Sequence, residues 1–255
     1  MDSPEPLVLY EDNHLLVLAK PAGLCSAQAS AEQPSAHAWA SSYLKRKYAK
    51  PGNVFVGVVH RLDRATSGVL VLARTSKAAA RLSSQWRAGH IQKTYWAVVP
   101  APLRLPDPCL LRDYLTEADG RPAIVPAPMP DDSPPRRGGG GSRSGSGPLR
   151  LALTRLTRLR ERGGWVLLAL EPSTGRKHQL RLQLATRGYP IVGDRRYGST
   201  YAFGQPPGQA IALHARTLRC QHPTRSDMLT FTAPLPPLWH ERFGELLRGW
   251  ADDAG

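Results

Sequence analysis

Residues 60–75 read HRLDRATSGVLVLART: one acid, Asp63, bracketed by Arg61 and Arg64, then a small-residue turn from Thr66 to Gly68, then an apolar run with the composition of a buried strand. A carboxylate between two guanidiniums is held in its charged form. At the edge of an apolar strand such a charge is costly without a partner. For an arbitrary Asp, a structural salt bridge is the commoner role, with nucleophilic attack and general-base work as the others. Immediately upstream, Val54–Val59 is apolar and reads as a strand that delivers His60–Asp63.

The chain has 255 residues, enough for one large domain or two small ones with a sizeable core. Lys and Arg total 34 against 20 Asp and Glu, a net charge of +14, which points to a polyanionic partner and first to nucleic acid. A generally basic surface with no such partner is the alternative. Three scattered cysteines, Cys25, Cys109 and Cys220, indicate neither a disulfide framework nor a zinc ribbon and fit a reducing, cytoplasmic setting. The first twenty residues carry acids and a broken apolar run, unlike a secretory or organellar leader. No stretch approaches the ~18 apolar residues of a membrane span. His60, His178 and His214 come without HExxH or paired CxxC spacing, so packing and hydrogen bonding are their expected roles and no metal is expected. No phosphate-cradling loop or dinucleotide fingerprint is present, so no cofactor is expected.

Along the chain, LVLY and HLLVLA read as two short strands that end at the KPAGL turn, residues 20–24. Residues 27–48 read as a helix with a basic end, Lys45-Arg46-Lys47. Ser76 is placed to cap a second helix whose apolar face is Ala79, Leu82 and Trp86 and which stops at Gly89. IQKTYWAVV, residues 91–99, resumes as a strand. Residues 131–148, DDSPPRRGGGGSRSGSGP, are too poor in apolar surface to offset the entropy of ordering, and read as a mobile loop within one domain, 1–255. An interdomain linker is the alternative. LRLALT and WVLLALEP suggest paired strands about a Gly163-Gly164 turn, APLPPLW should pack as irregular chain, and a short helix is expected from Trp239 to Trp250.

Five ordered segments carry a resemblance. VLYEDNHLLVLAKPAGL, HRLDRATSGVLVLART, IQKTYWAVV, TGRKHQLRLQLATRGYPIVGDRRYG and ALHARTLRCQHPTRSDMLTFTAPLP together resemble the RluA-type pseudouridine synthases over nearly the whole chain outside residues 131–148. The resemblance implies an α+β fold: a mainly antiparallel mixed sheet with flanking helices around a basic central cleft. It implies isomerisation of uridine to pseudouridine in ribosomal or transfer RNA, with no cofactor, by a protein taken to be monomeric. The chain opens directly on the first of these motifs, which leaves no room for the N-terminal RNA-binding domain that several relatives carry. A noncatalytic RNA-binding or ribosome-assembly factor of the same fold is the competing reading, and a DNA-binding protein a third, unsupported by any recognition-helix motif.

By the same resemblance, Asp63 acts on the ribose side of an extruded uridine, either attacking carbon 1′ or removing the proton at carbon 2′. Arg181 in HQLR pairs with Asp63; its alternative is a phosphate contact or a solvated face. Tyr95 stacks on the target base and is a candidate for proton transfer from carbon 5; its alternative is a core tyrosine, a role that Trp96 fills on the opposite strand face. Arg61 either fills the space vacated by the flipped base or clamps a phosphate. Arg64, Lys93, Arg176, Lys177 and Arg195 are the further expected RNA-binding residues, with Arg187, Arg196 and Lys45–Lys47 adding positive charge. Two departures bear on substrate choice: the opening turn continues GLCSAQAS where many members have a Val-His-Pro type sequence, and Gln183 stands where His is frequent.

Overall fold

The structure is a computed structural model, and it describes residues 5–27, 34–118, 121–125 and 148–249. Strands β1 (Leu7–Glu11) and β2 (Leu15–Lys20) are joined by a turn in which Asp12 Oδ1 accepts the N–H groups of His14 and Leu15 at 2.7 and 2.8 Å. Helix α1 (Ala36–Lys47) starts where the Ser35 hydroxyl accepts the Ala38 N–H at 3.1 Å, and it ends on the basic triplet Lys45-Arg46-Lys47. It is shorter than expected from residues 27–48; residues 28–33 lie outside the described residues.

Only β3 (Gly57–Val58) forms within the apolar stretch 54–59. Val54 and Val56 instead turn to the cluster that packs beneath α1, which corrects the expected longer strand. Strand β4 (Ser67–Ala73) is buried at every position. Helix α2 (Ser76–Arg87) is capped by Thr75, not Ser76: the Thr75 side chain accepts the Ala78 N–H at 3.1 Å. Its inward face is Ala78 and Leu82, with Ala79 and Trp86 at its margin, in place of the expected Ala79, Leu82 and Trp86. Gly89, at φ +71°, stops the helix as expected.

Next come β5 (Gln92–Pro100), β6 (Cys109–Ala118), β7 (Arg121–Val125), β8 (Arg150–Arg162) and β9 (Trp165–Pro172). Between the last two, Gly163 and Gly164 at φ +60° and +78° make the expected tight hairpin, a conformation that side-chain-bearing residues resist. Helix α3 (Gln179–Ala185) is buried from Gln179 to Leu184. A 3-10 turn at Arg195–Tyr197, strands β10 (Leu213–Gln221) and β11 (Met228–Thr232) and helix α4 (Pro237–Leu247) complete the described order. The Pro-rich tail is therefore not irregular throughout. Pro237 sits in the first turn of α4, where a missing N–H leaves no bond unmade. Trp250 and residues 131–147 lie outside the described residues.

The strands form one sheet in the order β1-β2-β4-β10-β5-β9-β8-β6-β7, with β11 added to β10 and β3 to β4. Among the described strands, β4 and β10 run parallel and the other pairs antiparallel, which gives the mixed, mainly antiparallel α+β architecture. At the parallel seam Gly68 has φ +117°, and a Cβ there would collide with the backbone of Ala215. The SG pair of the opening motif thus serves the crossing of β4 and β10. The turn itself lies one step earlier, where the Thr66 N–H closes on the Asp63 carbonyl at 3.0 Å.

His214 lies at that seam, 1 % exposed, sharing a hydrogen bond of 2.8 Å between its Nδ1 and the Ser67 hydroxyl. Burial holds its pKa down to about 3, against an ordinary value of 6.5, with the Ala233 carbonyl opposing and Arg216 assisting. The unfolded chain therefore takes up a proton below pH 6.5 that the folded chain refuses. Stability from this group is complete above pH 6.5 and falls as the pH drops towards 3. Denaturant titrations should show about 2 kcal/mol less stability from this source at pH 5 than at pH 7, a difference that His214→Gln should reduce. Equal pH sensitivity in wild type and variant would contradict it.

Candidate active site

Asp63 sits on the loop between β3 and β4, and the KPAGLCS segment grips that loop on both sides of it. The Ser26 hydroxyl accepts the Leu62 N–H at 2.9 Å and donates to the Leu62 carbonyl at 2.8 Å. On the other side the Gly23 N–H donates to the Arg64 carbonyl at 2.8 Å, and Arg64 Nε returns a bond to the Gly23 carbonyl at 2.9 Å. Beneath the loop Lys20 is 1 % exposed and donates to the carbonyls of Pro21 and Leu24, both at 2.8 Å. Burial pulls its pKa down to about 7, with Cys25 and Asp63 opposing.

The neighbouring arginines do not hold Asp63, contrary to what their adjacency suggests. Arg64 is turned back onto Gly23, and Arg61 is exposed. Side chains adjacent in a turn diverge, so the partner comes from another element. Arg181, in the first turn of α3, donates from Nη1 to Asp63 Oδ2 at 3.0 Å, the pairing implied by the family resemblance. The rest of its fork engages Asp194 bidentately, Nε to Oδ2 at 2.7 Å and Nη2 to Oδ1 at 2.8 Å. Arg181 is 7 % exposed and Asp194 1 %. Burial works against the guanidinium's charge, but Asp194 and then Asp63 more than offset it and raise its pKa above the ordinary arginine value.

Two aromatic groups complete this side. The Tyr197 ring lies 5.0 Å from the Arg181 guanidinium, and its hydroxyl is 2.6 Å from His178 Nδ1. His178 Nε2 is 3.7 Å from Asp63 Oδ2. Burial lowers the pKa of His178, with Asp63 opposing and Arg181 assisting. His178 also has φ +56°, an uncommon value for a residue with a side chain. Asp194, His178 and Tyr197 were not assigned to the site by sequence reasoning. A signal existed for Asp194: an acid that follows the apolar PIV of GYPIVGDRRYG needs a buried partner.

Across the cleft stands Tyr95 of β5, paired in register with Leu170 of β9 and Ala215 of β10. Burial, and then the Asp63 carboxylate, push its phenol pKa well up. Trp96 points to the opposite face, where the Arg216 guanidinium lies 4.9 Å from its ring. Asp63, Tyr95 and Arg181 line one cavity of about 230 Å³, with Arg61, Lys93 and Arg176 at its walls. That size suits a single small group; drug-sized sites start near ~300 Å³. A second recess of about 430 Å³ opens on the other side of Asp63 and is lined by Arg61, Arg64, Arg176 and Lys177. Arg195 is exposed on the 3-10 turn and lines neither.

His60 stacks on Trp86 with ring centroids 4.4 Å apart and accepts the Val71 N–H at 2.9 Å; burial, and the charge of Lys93, lower its pKa to about 3. His60 and Trp86 nevertheless line the same cavity as Asp63, so that of the three histidines His60 and His178 belong to the cleft and His214 alone takes a packing role away from it. Among the described residues no cluster of three or more His, Cys, Asp or Glu is placed to hold a metal ion.

The geometry can be set beside known proteins. The sequence pattern of the family described as RNA pseudouridylate synthase matches residues 14–186, more than half of the chain. The dual-specificity RNA pseudouridine synthase RluA of Escherichia coli (strain K12) is 32 % identical over 234 residues, covering 91 % of this chain and 94 % of that protein. The tRNA pseudouridine synthase C of Yersinia pestis is 31 % identical over 254 residues, covering 96 % and 91 %. Among solved structures, human RNA pseudouridylate synthase domain containing 4 superposes with a TM-score of 0.74 at 25 % identity over 94 % of this chain and 92 % of that one. With the Asp63–Arg181 pair, the facing Tyr95 and a basic cleft in a mixed α+β sheet, this chain belongs to the RNA pseudouridylate synthase family.

Proposed function

We propose that this protein converts uridine to pseudouridine within structured ribosomal or transfer RNA, and that it does so through Asp63, Arg181 and Tyr95 in a single catalytic domain. The observation that carries the reading is the Asp63–Arg181 contact of 3.0 Å at one wall of a cavity whose other wall is Tyr95. The two relatives named above are, by their names, a dual-specificity RNA pseudouridine synthase and a tRNA pseudouridine synthase, which supports RNA as the substrate class.

The reaction is an internal rearrangement. The bond from carbon 1′ to N1 of the base breaks, the base rotates, and a bond from carbon 1′ to carbon 5 forms while the carbon-5 proton is lost and N1 gains one. No electrons leave the substrate. Asp63 starts it from the ribose side, by attack on carbon 1′ or removal of the carbon-2′ proton, and both routes need a carboxylate held at a fixed position. Arg181 supplies that fixing because its own position is set by Asp194. Tyr95, kept as a phenol by burial and by the Asp63 charge, serves first as a stacking platform for the flipped base.

Extruding a base costs a few kcal/mol, and a residue that enters the vacated stack recovers part of it. Arg61 is exposed and lines both recesses beside Asp63, a position that fits either this role or a phosphate clamp. Arg64, Lys93, Arg176 and Lys177 line the same two recesses and are taken as phosphate contacts, with Arg195 further out on the surface. RNA affinity then falls steeply with salt. The protein is taken as a monomer, and its three free thiols fit the reducing setting of the cytoplasm; no helix among the described residues is long and apolar enough to cross a membrane.

Pseudouridine mapping of unmodified total RNA after incubation with the protein tests the reading, and new sites should appear with wild type and vanish with Asp63→Asn. Identical maps from both, with RNA binding intact, would leave the noncatalytic alternative. The stacking role of Tyr95 has its own measurement, RNA affinity in an Asp63→Asn background. Tyr95→Phe should bind within about twofold of its parent, whereas Tyr95→Ala should lose about 1–3 kcal/mol, or 5- to 150-fold. Equal affinity of the Phe and Ala variants would remove the stacking role.

A further inference from the structure

The catalytic cavity carries its charges at two ends. At one end Asp63 meets Arg181, whose fork is already shared with the buried Asp194, so that two carboxylates face one guanidinium. At the other end stands Lys93 of β5, two residues before Tyr95 and therefore on the same face of the strand. The stacked His60 and Trp86 line the cavity with it, and the charge of Lys93 is felt at His60. Asp63 shifts the titration of Lys20, Tyr95, His178 and Arg181. Lys93 responds to burial alone, which lowers its pKa, and no carboxylate opposes that fall. Among the described residues it has no hydrogen-bond or ion-pair partner.

An ammonium partly removed from water is costly when it is unpaired. The other cations of the cavity are placed differently. Arg61 is exposed, and Arg176 binds the Leu151 carbonyl through Nε at 3.1 Å. Both also line the wider recess beside Asp63, where an RNA backbone has room to lie. Lys93 lines the inner cavity of about 230 Å³ and not that recess. The group that enters the inner cavity is the extruded base, while the phosphates stay outside with the chain that carries them.

The reaction itself produces an anion at this place. When the bond from carbon 1′ to N1 breaks, its electron pair leaves with the base. In one route Asp63 becomes a neutral ester on carbon 1′; in the other it takes the carbon-2′ proton and becomes a neutral acid. Either way its negative charge has passed to the detached uracil, where it spreads over N1, O2, O4 and carbon 5. When carbon 5 gives an electron pair to carbon 1′, Asp63 is released as a carboxylate or returns its proton, and its charge is restored. We propose that Lys93 is a catalytic residue whose ammonium pairs with the detached, negatively charged base and holds it in the cavity until it rejoins through carbon 5. This rests on the pseudouridine-forming reading of the cleft, and for Lys93 it replaces the phosphate contact taken above. The pairing develops only as the bond breaks, so it lowers the barrier and adds little to the affinity for intact RNA.

The test compares wild type with Lys93→Met, which keeps an unbranched stem and removes the charge. The substrate is a defined RNA with uridine or 5-fluorouridine at the position found by mapping. Fluorine withdraws electrons and stabilises the detached anion by itself. Its carbon 5 has no proton to lose, so disappearance of 5-fluorouridine from digests is the readout for that RNA. With uridine, Lys93→Met should lower the single-turnover rate at saturating enzyme about 100- to 1,000-fold, the size expected when one group that stabilises a developing anion is removed. RNA affinity in an Asp63→Asn background should stay within about threefold. The melting temperature should not fall, because no partner is orphaned. With 5-fluorouridine the rate deficit should shrink to about tenfold. A deficit as large with 5-fluorouridine as with uridine would overturn the role. So would the pattern of a phosphate contact, in which affinity falls about tenfold, its salt dependence weakens and the saturated rate holds. A wild type that forms no pseudouridine overturns both readings, whereas an active wild type beside an equally fast Lys93→Met overturns this one alone.

Discussion

Asp63→Asn is expected to lower pseudouridine formation by at least about 10⁴-fold while leaving RNA affinity within about threefold. The asymmetry comes from the site's construction. Asn has the same shape and can still accept the Arg181 Nη1 hydrogen bond, and the loop stays clamped by Ser26 on Leu62 and by Gly23 on Arg64. What is lost is the charge that attacks carbon 1′ or takes the carbon-2′ proton. Arg181 keeps Asp194 as its bidentate partner, so no buried cation is orphaned and the melting temperature should move little. Quantifying product from a defined RNA under single-turnover conditions, beside a binding titration, checks both halves. Residual turnover within tenfold of wild type would take the chemistry away from Asp63.

The second large effect is on Arg181. Arg181→Ala should abolish turnover and also destabilise the fold, because it leaves the carboxylate of Asp194, 1 % exposed, without its bidentate partner. Breaking such a buried pair by removing one member costs about 3–5 kcal/mol, which in a chain of this size lowers the melting temperature by roughly 10 °C. Arg181→Lys restores one positive charge, so part of the stability should return. Activity should not, since one ammonium cannot hold the two Asp194 oxygens and reach Asp63 Oδ2 together. The double variant Arg181→Met with Asp194→Leu separates the two effects: stability near wild type and no turnover. A melting temperature unchanged in Arg181→Ala would mean that Asp194 has a different partner, and activity in Arg181→Lys would mean that Asp63 needs only a nearby charge.

Much of the fold was legible because it is written locally. The apolar run 67–73 became the fully buried β4, Gly163-Gly164 became the β8–β9 hairpin, and the basic triplet closed α1. The misreadings were also local and have local causes. Thr75 and Ser76 are both competent caps, and only the backbone at Thr75 takes the extended capping conformation. Val54 and Val56 are apolar because they pack beneath α1, not because they lie in the sheet. Pro237 reads as a helix breaker in isolation, yet at the start of a helix it is compatible.

The site shows the same division. By itself the sequence determined which residue types are available and, in part, which elements carry them: an acid before a buried strand, a tyrosine on a strand, an arginine on a strand or in a first helical turn, and an excess of positive charge. Its ordered motifs also pointed to the family. Tertiary structure decided which groups meet. Asp63 passes over Arg61 and Arg64 for an arginine 118 positions away, and that arginine is shared with an aspartate no motif had singled out. It also placed Arg176 and Lys177 beside the acid, left Arg195 outside, and drew His178 into the cleft. The physical reason is range. Strand alternation, capping and turn formation depend on residues a few positions apart and can be read along the chain, whereas an ion pair depends on distance, burial and the competing partners that packing brings within a few ångströms.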